Sequence, residues 1–264
     1  MIRVVVQGVA GRMGSLMGRL VLQEDDMALV GATERPEHSA VGKDVGEVLG
    51  VGKVGIEVEE DIREAAREGD VVVAFTTPQA TLEAAEVCGE LGKAMVVGTT
   101  GFTDGQLEEF KRSVSRVPCV FSPNFSVGVN LLFKVAQEVV EVLKEGYDVE
   151  IIEAHHRFKK DAPSGTAKRL AEAVLRGLGR ELRVVHGREG VVGERGEEIG
   201  IHAVRAGDIV GEHIVMFGGM GERLELVHRA SSREAFARGA VRAIRFVVKA
   251  GPGLYDMWDV LGFR

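Results

Sequence analysis

The chain has 264 residues, 45% of them hydrophobic and 28% charged, the profile of a globular protein with apolar material for two modest cores. Its formal net charge of -7 argues against nucleic acid as a partner, because a phosphate backbone needs a basic face, although a local basic cluster can still hold a small anion. No apolar run approaches the roughly 18 residues of a membrane span, and Met1-Ile2-Arg3-Val4-Val5-Val6 shows no signal-peptide pattern, so the expected setting is cytoplasmic and away from membranes. Cys88 and Cys119 form neither a CxxC pair nor a zinc spacing and read as buried thiols. Asparagine occurs only at Asn124 and Asn130, while Arg and Glu are plentiful, a composition of the thermophile kind.

In chain order, residues 2–7 read as a buried strand, 12–23 as a helix and 28–33 as a second strand. A strand at 71–75, a helix at 79–91 and a strand at 94–97 follow, then a helix at 106–113 and a strand at 118–121. Continuous apolar strands alternating with helices predict parallel βαβ units covered on both faces. After residue 121 the pattern changes. A long amphipathic helix is expected at 129–145, a strand at 149–153 and a helix at 167–178. Strands at 199–205, 211–217 and 223–229, separated by Gly207-Asp208 and Gly218-Gly219, read as an antiparallel meander. Ser231-x-x-Glu234 reads as a capping box opening a helix over 233–249, and residues 254–261 as one more short helix. The fold class is α/β: a Rossmann-like, doubly wound parallel sheet followed by an α+β half with an open, mostly antiparallel sheet.

Gly8-x-x-Gly11-Arg12-Met13-Gly14 stands between the first strand and the first helix. Glycines there permit a tight turn and a close backbone approach to a pyrophosphate, which the helix N-terminus attracts. The spacing is GxxGxxG rather than GxGxxG, so the motif depends on its strand-helix setting. Glu34 ends the second strand, where an acidic group reaches ribose hydroxyls, and Arg35 follows, where a cation holds a 2′-phosphate. Glu34 favours NADH and Arg35 favours NADPH, so dual use is expected. Phe75-Thr76-Thr77-Pro78 and Gly98-Thr99-Thr100-Gly101-Phe102 lie at further strand ends, where ordinary turns and ligand loops share the same chemistry.

Glu153-Ala154-His155-His156-Arg157-Phe158-Lys159-Lys160-Asp161-Ala162-Pro163-Ser164-Gly165-Thr166-Ala167 runs from a strand end through a basic loop into a helix N-terminus. Two histidines and a lysine fall within five residues, and Ser164-Gly165-Thr166 offers hydroxyls and N–H groups as an anion seat. A capped helix behind a solvated basic loop is the plainer reading of the same residues. A metal is not expected, because neighbours on a strand point to opposite faces and no HExxH or Cys-rich set accompanies the pair.

These pieces together resemble the bacterial-type 4-hydroxy-tetrahydrodipicolinate reductases of lysine and diaminopimelate biosynthesis. The resemblance rests on the run from Gly8 to Gly14, Glu34-Arg35, Gly98 to Phe102, Pro123-Asn-Phe-Ser-Val-Gly-Val-Asn130, Glu153 to Arg157 with Lys159, Asp161 to Ala167, and Arg205-Ala-Gly-Asp-Ile-Val-Gly-Glu-His213. It implies that Gly8, Gly11, Arg12 and Met13 line the pyrophosphate and that Glu34 and Arg35 hold the adenosine ribose. Gly98, Thr99 and Thr100, with Ser122, Pro123, Asn124 and Phe125, would bracket the nicotinamide. His155 would give or take a proton and Lys159 would donate one. Thr100, His156, Lys159, Ser164, Gly165 and Thr166 would hold the dicarboxylate substrate. The resemblance also implies a terminal segment returning to the nucleotide domain, dividing the chain into 1–126 with 236–264 and a substrate and oligomerisation domain at 127–235, and a homotetramer joined through the open sheet. Thr77 stands where many relatives carry Arg, and Phe158 where some carry another His.

The chemistry agrees with those roles. Hydride addition to a conjugated cyclic imine leaves an electron-rich system that takes a proton from a positioned acid. Lys159 beside two histidines is expected to lose basicity through like-charge repulsion. Another two-domain NAD(P)-dependent dehydrogenase would account for the N-terminal half but not for the His-His-x-x-Lys run. A dinucleotide sensor would bind cofactor without turnover.

Overall fold

A computed structural model describes residues 1–263. The chain forms two compact units, Met1–Ser126 together with the chain from Phe236 onward, and Val127–Ala235.

Unit 1 opens with β1 (Ile2–Gln7), α1 (Arg12–Val21), β2 (Met27–Thr33), α2 (Val45–Leu49), β3 (Val58–Glu59) and α3 (Ile62–Ala66). It continues through β4 (Val71–Ala74), α4 (Pro78–Leu91), β5 (Ala94–Val97), α5 (Asp104–Ser113) and β6 (Pro118–Phe121). Unit 2 contains α6 (Val127–Leu143), β7 (Asp148–His155), α7 (Gly165–Leu178), β8 (Arg183–Val185), β9 (Glu198–Arg205), β10 (Gly211–Gly219) and β11 (Glu222–Ala230). The chain then returns to unit 1 through α8 (Glu234–Val247), β12 (Gly253–Tyr255) and α9 (Met257–Leu261).

The unit 1 strands form one parallel sheet in the order β12-β6-β5-β4-β1-β2-β3. Alternation along β1 sends Val4 and Val6 to one core and Val5 to the other. The first core receives Met17 and Leu20 of α1 and Ala240 and Ile244 of α8; the second receives Leu82 and Cys88 of α4 and Phe110 of α5. Helices therefore cover both faces, which is why these strands read as unbroken valine runs. Each fully buried valine contributes about 1.5–3 kcal/mol of burial. Both cysteines lie in the second core, and burial pushes the Cys88 thiol up to about 12 and raises Cys119 likewise.

The unit 2 sheet has the order β11-β10-β7-β9-β8. It is mixed: β10 runs antiparallel to β11 and β7, and β9 runs parallel to β7 and β8. The meander reading therefore needs correction. β9 does not pair with β10, because β7 lies between them. On β7, Val149, Ile151 and Glu153 are buried while Glu150, Ile152 and Ala154 are half-buried, so one face carries the core. Helices α6 and α7 pack closely where Gly177 lies, since a Cβ there would stand 2.5 Å from the Gln137 carbonyl.

Other local expectations also change. Residues 254–261 are not a single helix: β12 joins the sheet edge before α9 begins. Ser232 Oγ, rather than Ser231, accepts from the Glu234 N–H at 3.2 Å. Helices α2 and α3 and strands β3 and β8 were not anticipated. Among the described residues no helix is long and apolar enough to cross a membrane.

Candidate active site

In unit 1 the strand order reverses between β4 and β1, and ligands bind outside the carboxyl ends of such neighbouring strands. The glycine turn sits at that crevice. Gly8 has φ +74°, a left-handed conformation suited to glycine, and its N–H donates to the Thr33 carbonyl at 2.8 Å. A Cβ on Gly14 would stand 2.0 Å from the Gly8 carbonyl oxygen, so the start of α1 approaches the turn as only glycine allows. Gly11 is the N-cap of α1 and no side chain caps this end. Its first-turn N–H groups and the positive end of its dipole suit a pyrophosphate.

Glu34 lies just beyond β2. Its carboxylate accepts from the Ala10 N–H at 3.1 Å and the Arg35 N–H at 3.0 Å, which ties the end of β2 to the glycine turn. A carboxylate has about four acceptor positions, so capacity remains for ribose hydroxyls. Arg35 is exposed beside it. A cavity of about 400 Å³ is bordered by Gly8, Gly11, Glu34, Arg35, Thr76 and Thr77. This cradle fits a dinucleotide.

The flanking loops are held from beneath. Thr99 is buried; its Oγ1 lies 2.7 Å from Thr81 Oγ1 and accepts from the Thr76 N–H at 3.0 Å. Gly98 leaves room for Phe75, whose ring carbon would stand 2.0 Å from a Cβ there. Phe75 meets Phe125 edge-on at 5.4 Å, and Phe125 is a core residue. The side chains of Thr99 and Phe125 thus hold loops, and Thr100 is the exposed member of its pair. Thr77 caps α4 by accepting from the Ala80 N–H at 3.4 Å. Ser122 Oγ donates to the Asn124 carbonyl at 2.9 Å, and Asn124 Oδ1 accepts from the Ser126 N–H at 2.9 Å, shaping the backbone after β6.

In unit 2, His155 ends β7 and His156 begins the basic loop. The loop is tied back by the Ala206 N–H on the His155 carbonyl at 3.0 Å and the Arg157 N–H on the Gly207 carbonyl at 3.1 Å. His155 Nδ1 lies 2.6 Å from Glu153 Oε2. Glu153 is 0% exposed, yet it accepts two hydrogen bonds from Arg205, at 2.8 and 2.7 Å, and one from the Ser164 N–H at 3.0 Å. Burial alone would raise its pKa; Arg205, His155 and the Ser164 N–H outweigh that and hold it below the ordinary glutamate value. Burial depresses His155, and Glu153 opposes that shift in part.

Ser164 opens α7. Its Oγ accepts from the Ala167 N–H at 3.2 Å and lies 3.3 Å from His213 Nε2, and its own N–H is held by Glu153. Ser164 is thus the buried N-cap of α7, with its N–H engaged. Gly165, the first residue of α7, is exposed, and a Cβ there would meet nothing within 4 Å; Thr166 follows it and is half-buried. Lys159 Nζ pairs with Asp161 Oδ1 at 2.9 Å. The ion-pair partner of Lys159 is thus a carboxylate. His156 Nδ1 is buried without a hydrogen-bond partner among the described residues.

Three residues of this cluster were not assigned roles from sequence: Glu153, Arg205 and His213. They converge through strand register, Glu153 facing His213 across β10 and His155 facing Arg205 across β9. His213 is 3% exposed, meets His155 edge-on at 5.3 Å, and is held down to about 3 by burial first and by His155 second. Among the described residues no group of His, Cys, Asp or Glu is placed to hold a metal ion.

A glycine turn at the switch point of a parallel sheet, joined to a second unit with a histidine-lysine cluster at a helix end, defines the class: an oxidoreductase of Rossmann type. Comparison with known proteins narrows this. Residues 2–125 match the family description "Dihydrodipicolinate reductase, N-terminus", and residues 128–261 match "Dihydrodipicolinate reductase, C-terminus". The 4-hydroxy-tetrahydrodipicolinate reductases of Syntrophus aciditrophicus and Syntrophobacter fumaroxidans are 51% and 52% identical, with 100% of each chain covered. A dipicolinate-bound dihydrodipicolinate reductase from Paenisporosarcina sp. TG-14 superposes with a TM-score of 0.78 at 28% identity, covering 98% of both chains. The chain belongs to the dihydrodipicolinate reductase family. That membership implies a nicotinamide cofactor.

Proposed function

We propose that the chain reduces 4-hydroxy-tetrahydrodipicolinate, or its dehydrated form dihydrodipicolinate, to tetrahydrodipicolinate, with NADH or NADPH, in lysine and diaminopimelate biosynthesis. The observation that carries this reading is the shared use of Glu153. One buried carboxylate holds both a proton-transfer imidazole, His155, and the N-terminus of α7 through Ser164. Reduction of a cyclic imine dicarboxylate needs both parts, a positioned acid and a seat for carboxylate.

The nicotinamide, when bound, supplies the hydride. Gly8, Gly11, Arg12 and Met13 hold its pyrophosphate, and Glu34 and Arg35 its adenosine ribose. Gly98, Thr99 and Thr100, with the backbone of Ser122, Pro123, Asn124 and Phe125, border its reactive ring. His155 and Lys159 deliver the proton that the reduced ring system needs. His156, Thr100, Gly165 and Thr166 orient the substrate carboxylates, as expected for a relative of a dipicolinate-binding protein. Glu34 is pinned by two backbone N–H groups while Arg35 is exposed, an arrangement compatible with either cofactor. A preference below about a thousandfold, or about 4 kcal/mol, is expected. The same reading carries a cytoplasmic homotetramer.

The test is a coupled assay in which pyruvate, aspartate semialdehyde and the preceding synthase generate the unstable substrate in place. Synthase-dependent oxidation of NADH and NADPH is expected. Tight NADH binding with no oxidation would overturn the reading in favour of a sensor or another dehydrogenase.

A further inference from the structure

We propose that Glu153, clamped by Arg205, is the positioning residue that holds His155 as the Nδ1–H tautomer and presents Nε2 as its working nitrogen. The inference rests on the reductase reading above and extends it to a residue that touches neither substrate nor cofactor.

A carboxylate offers about four lone-pair positions and, when ionised, no donor. Glu153 Oε1 accepts from the Ser164 N–H and Arg205 Nη2; Oε2 accepts from Arg205 Nη1 and faces His155 Nδ1 at 2.6 Å. All four positions are engaged. The bidentate guanidinium keeps the carboxylate ionised inside the protein, as its lowered pKa reflects. An acceptor-only group 2.6 Å from Nδ1 requires a proton on Nδ1, whether the imidazole is neutral or charged. The exchangeable site is then Nε2.

The surroundings of Nε2 agree. No hydrogen-bond partner faces it among the described residues. Gly211 lies beside it, and a Cβ there would stand 3.2 Å away, so glycine keeps that approach clear. The groups facing the imidazole come from every neighbouring element. Glu153 shares its strand, Arg205 comes from β9, buried His213 from β10, and Lys159, paired with Asp161, from the loop. Of these only Glu153 favours the charged imidazole; Lys159 and Arg205 oppose it, and His213 stays neutral across the working range. Removing the carboxylate therefore moves the His155 titration to lower pH. The Ser164 N–H on the same carboxylate also ties the imidazole to the α7 terminus, so both parts of the site share one anchor.

The test starts with the unliganded protein labelled with 15N-histidine, the His155 signals being assigned by their loss in His155→Gln. Above the titration of the imidazole, a protonated Nδ1 and a bare Nε2 are expected; the opposite tautomer overturns the proposal. This readout needs neither substrate nor a new fold. An inactive protein with the Nδ1–H imidazole would overturn the reductase reading and leave the tautomer assignment standing. The second arm is Glu153→Gln, whose amide offers a donor where the carboxylate offered an acceptor. Expected are a fall in kcat of about a hundredfold or more, the alkaline limb of the pH profile displaced to lower pH, a changed His155 tautomer, and an NADH Kd within about twofold. Rescue of the limb by Glu153→Asp would support the charge assignment. A loss of kcat with tautomer and pH limb unchanged would mean that Glu153 serves stability alone, and the proposal fails.

Discussion

His155 ends β7 and Lys159 lies in the loop that follows, and the two draw their surroundings from different places. His155 is set by a buried carboxylate, and Lys159 by the exposed Asp161. Under the proposed roles, His155→Ala and Lys159→Ala each lower kcat by about 10²–10⁴-fold and leave NADH affinity nearly intact. Loss of NADH binding in either variant would place these residues in the wrong site. His213 supports a separate prediction about acid stability. Burial holds it at about 3 in the folded protein, whereas unfolding restores a value of about 6.5. Between those values the unfolded chain binds a proton that the folded chain refuses. The contribution of His213 is therefore complete above about pH 6.5 and falls by about 1.4 kcal/mol for each unit of acidification. Urea titrations at pH 7 and pH 5 should show the parent losing about 2 kcal/mol more than His213→Phe. Equal losses would remove His213 from the acid response. None of this cluster's burial was visible in the sequence. Glu153 reads as one more strand carboxylate, and Arg205 and His213 lie far along the chain, brought in by the pairing of β9 and β10 with β7.

At the scale of elements, the glycine turn bears the clearest test. The Gly14 Cβ would meet backbone, the Gly8 carbonyl oxygen, which cannot yield without reshaping the turn. Gly14→Ala is expected to cost about 1–3 kcal/mol and to weaken NADH binding by about tenfold or more. Fluorescence titration with NADH checks the second effect, and unchanged affinity would exclude this turn as the pyrophosphate seat. The parallel strands were legible because burial on both faces leaves valine runs such as Val4-Val5-Val6 and Val71-Val72-Val73. Helices of five residues, such as α2 and α3, and the two-residue β3 are too short for periodicity to register. Alternation identified β9 as a strand but carried nothing about its neighbour. Its partner β7 comes from much earlier in the chain, and a three-residue edge strand such as β12 depends on β6 for its existence.

Across the whole molecule, charge organisation bears on heat. On the half-buried side of the unit 2 sheet, Glu150 meets His202 at 2.7 Å, Arg188 at 3.1 Å and Arg195 at 3.2 Å, and Glu198 binds Arg183 and Arg188. Networks of this kind, unlike isolated pairs, gain value with temperature as charge desolvation becomes less costly. With the scarcity of asparagine, they predict an apo melting midpoint above the mesophile range of about 45–65 °C. NADH at a hundred times its Kd should add about 2.7 kcal/mol. Calorimetry with and without NADH checks both, and a midpoint inside the mesophile range would remove the compositional argument.

The central position of β7 has a consequence for timing. Its amides are paired into ladders on both sides, so deuterium should enter Ile151 to Glu153 only when the whole sheet opens. Just beyond, Arg157, Phe158, Lys160 and Asp161 are exposed in a turn, and their amides should exchange through brief local fraying. The border between slow and fast exchange then falls at the pair of histidines. Under the proposed roles, one proton-handling group is fixed to the part of the unit that opens last, and its lysine companion rides on the part that opens first. The imidazole can stand ready before the substrate arrives, while the ammonium can adjust to it afterwards.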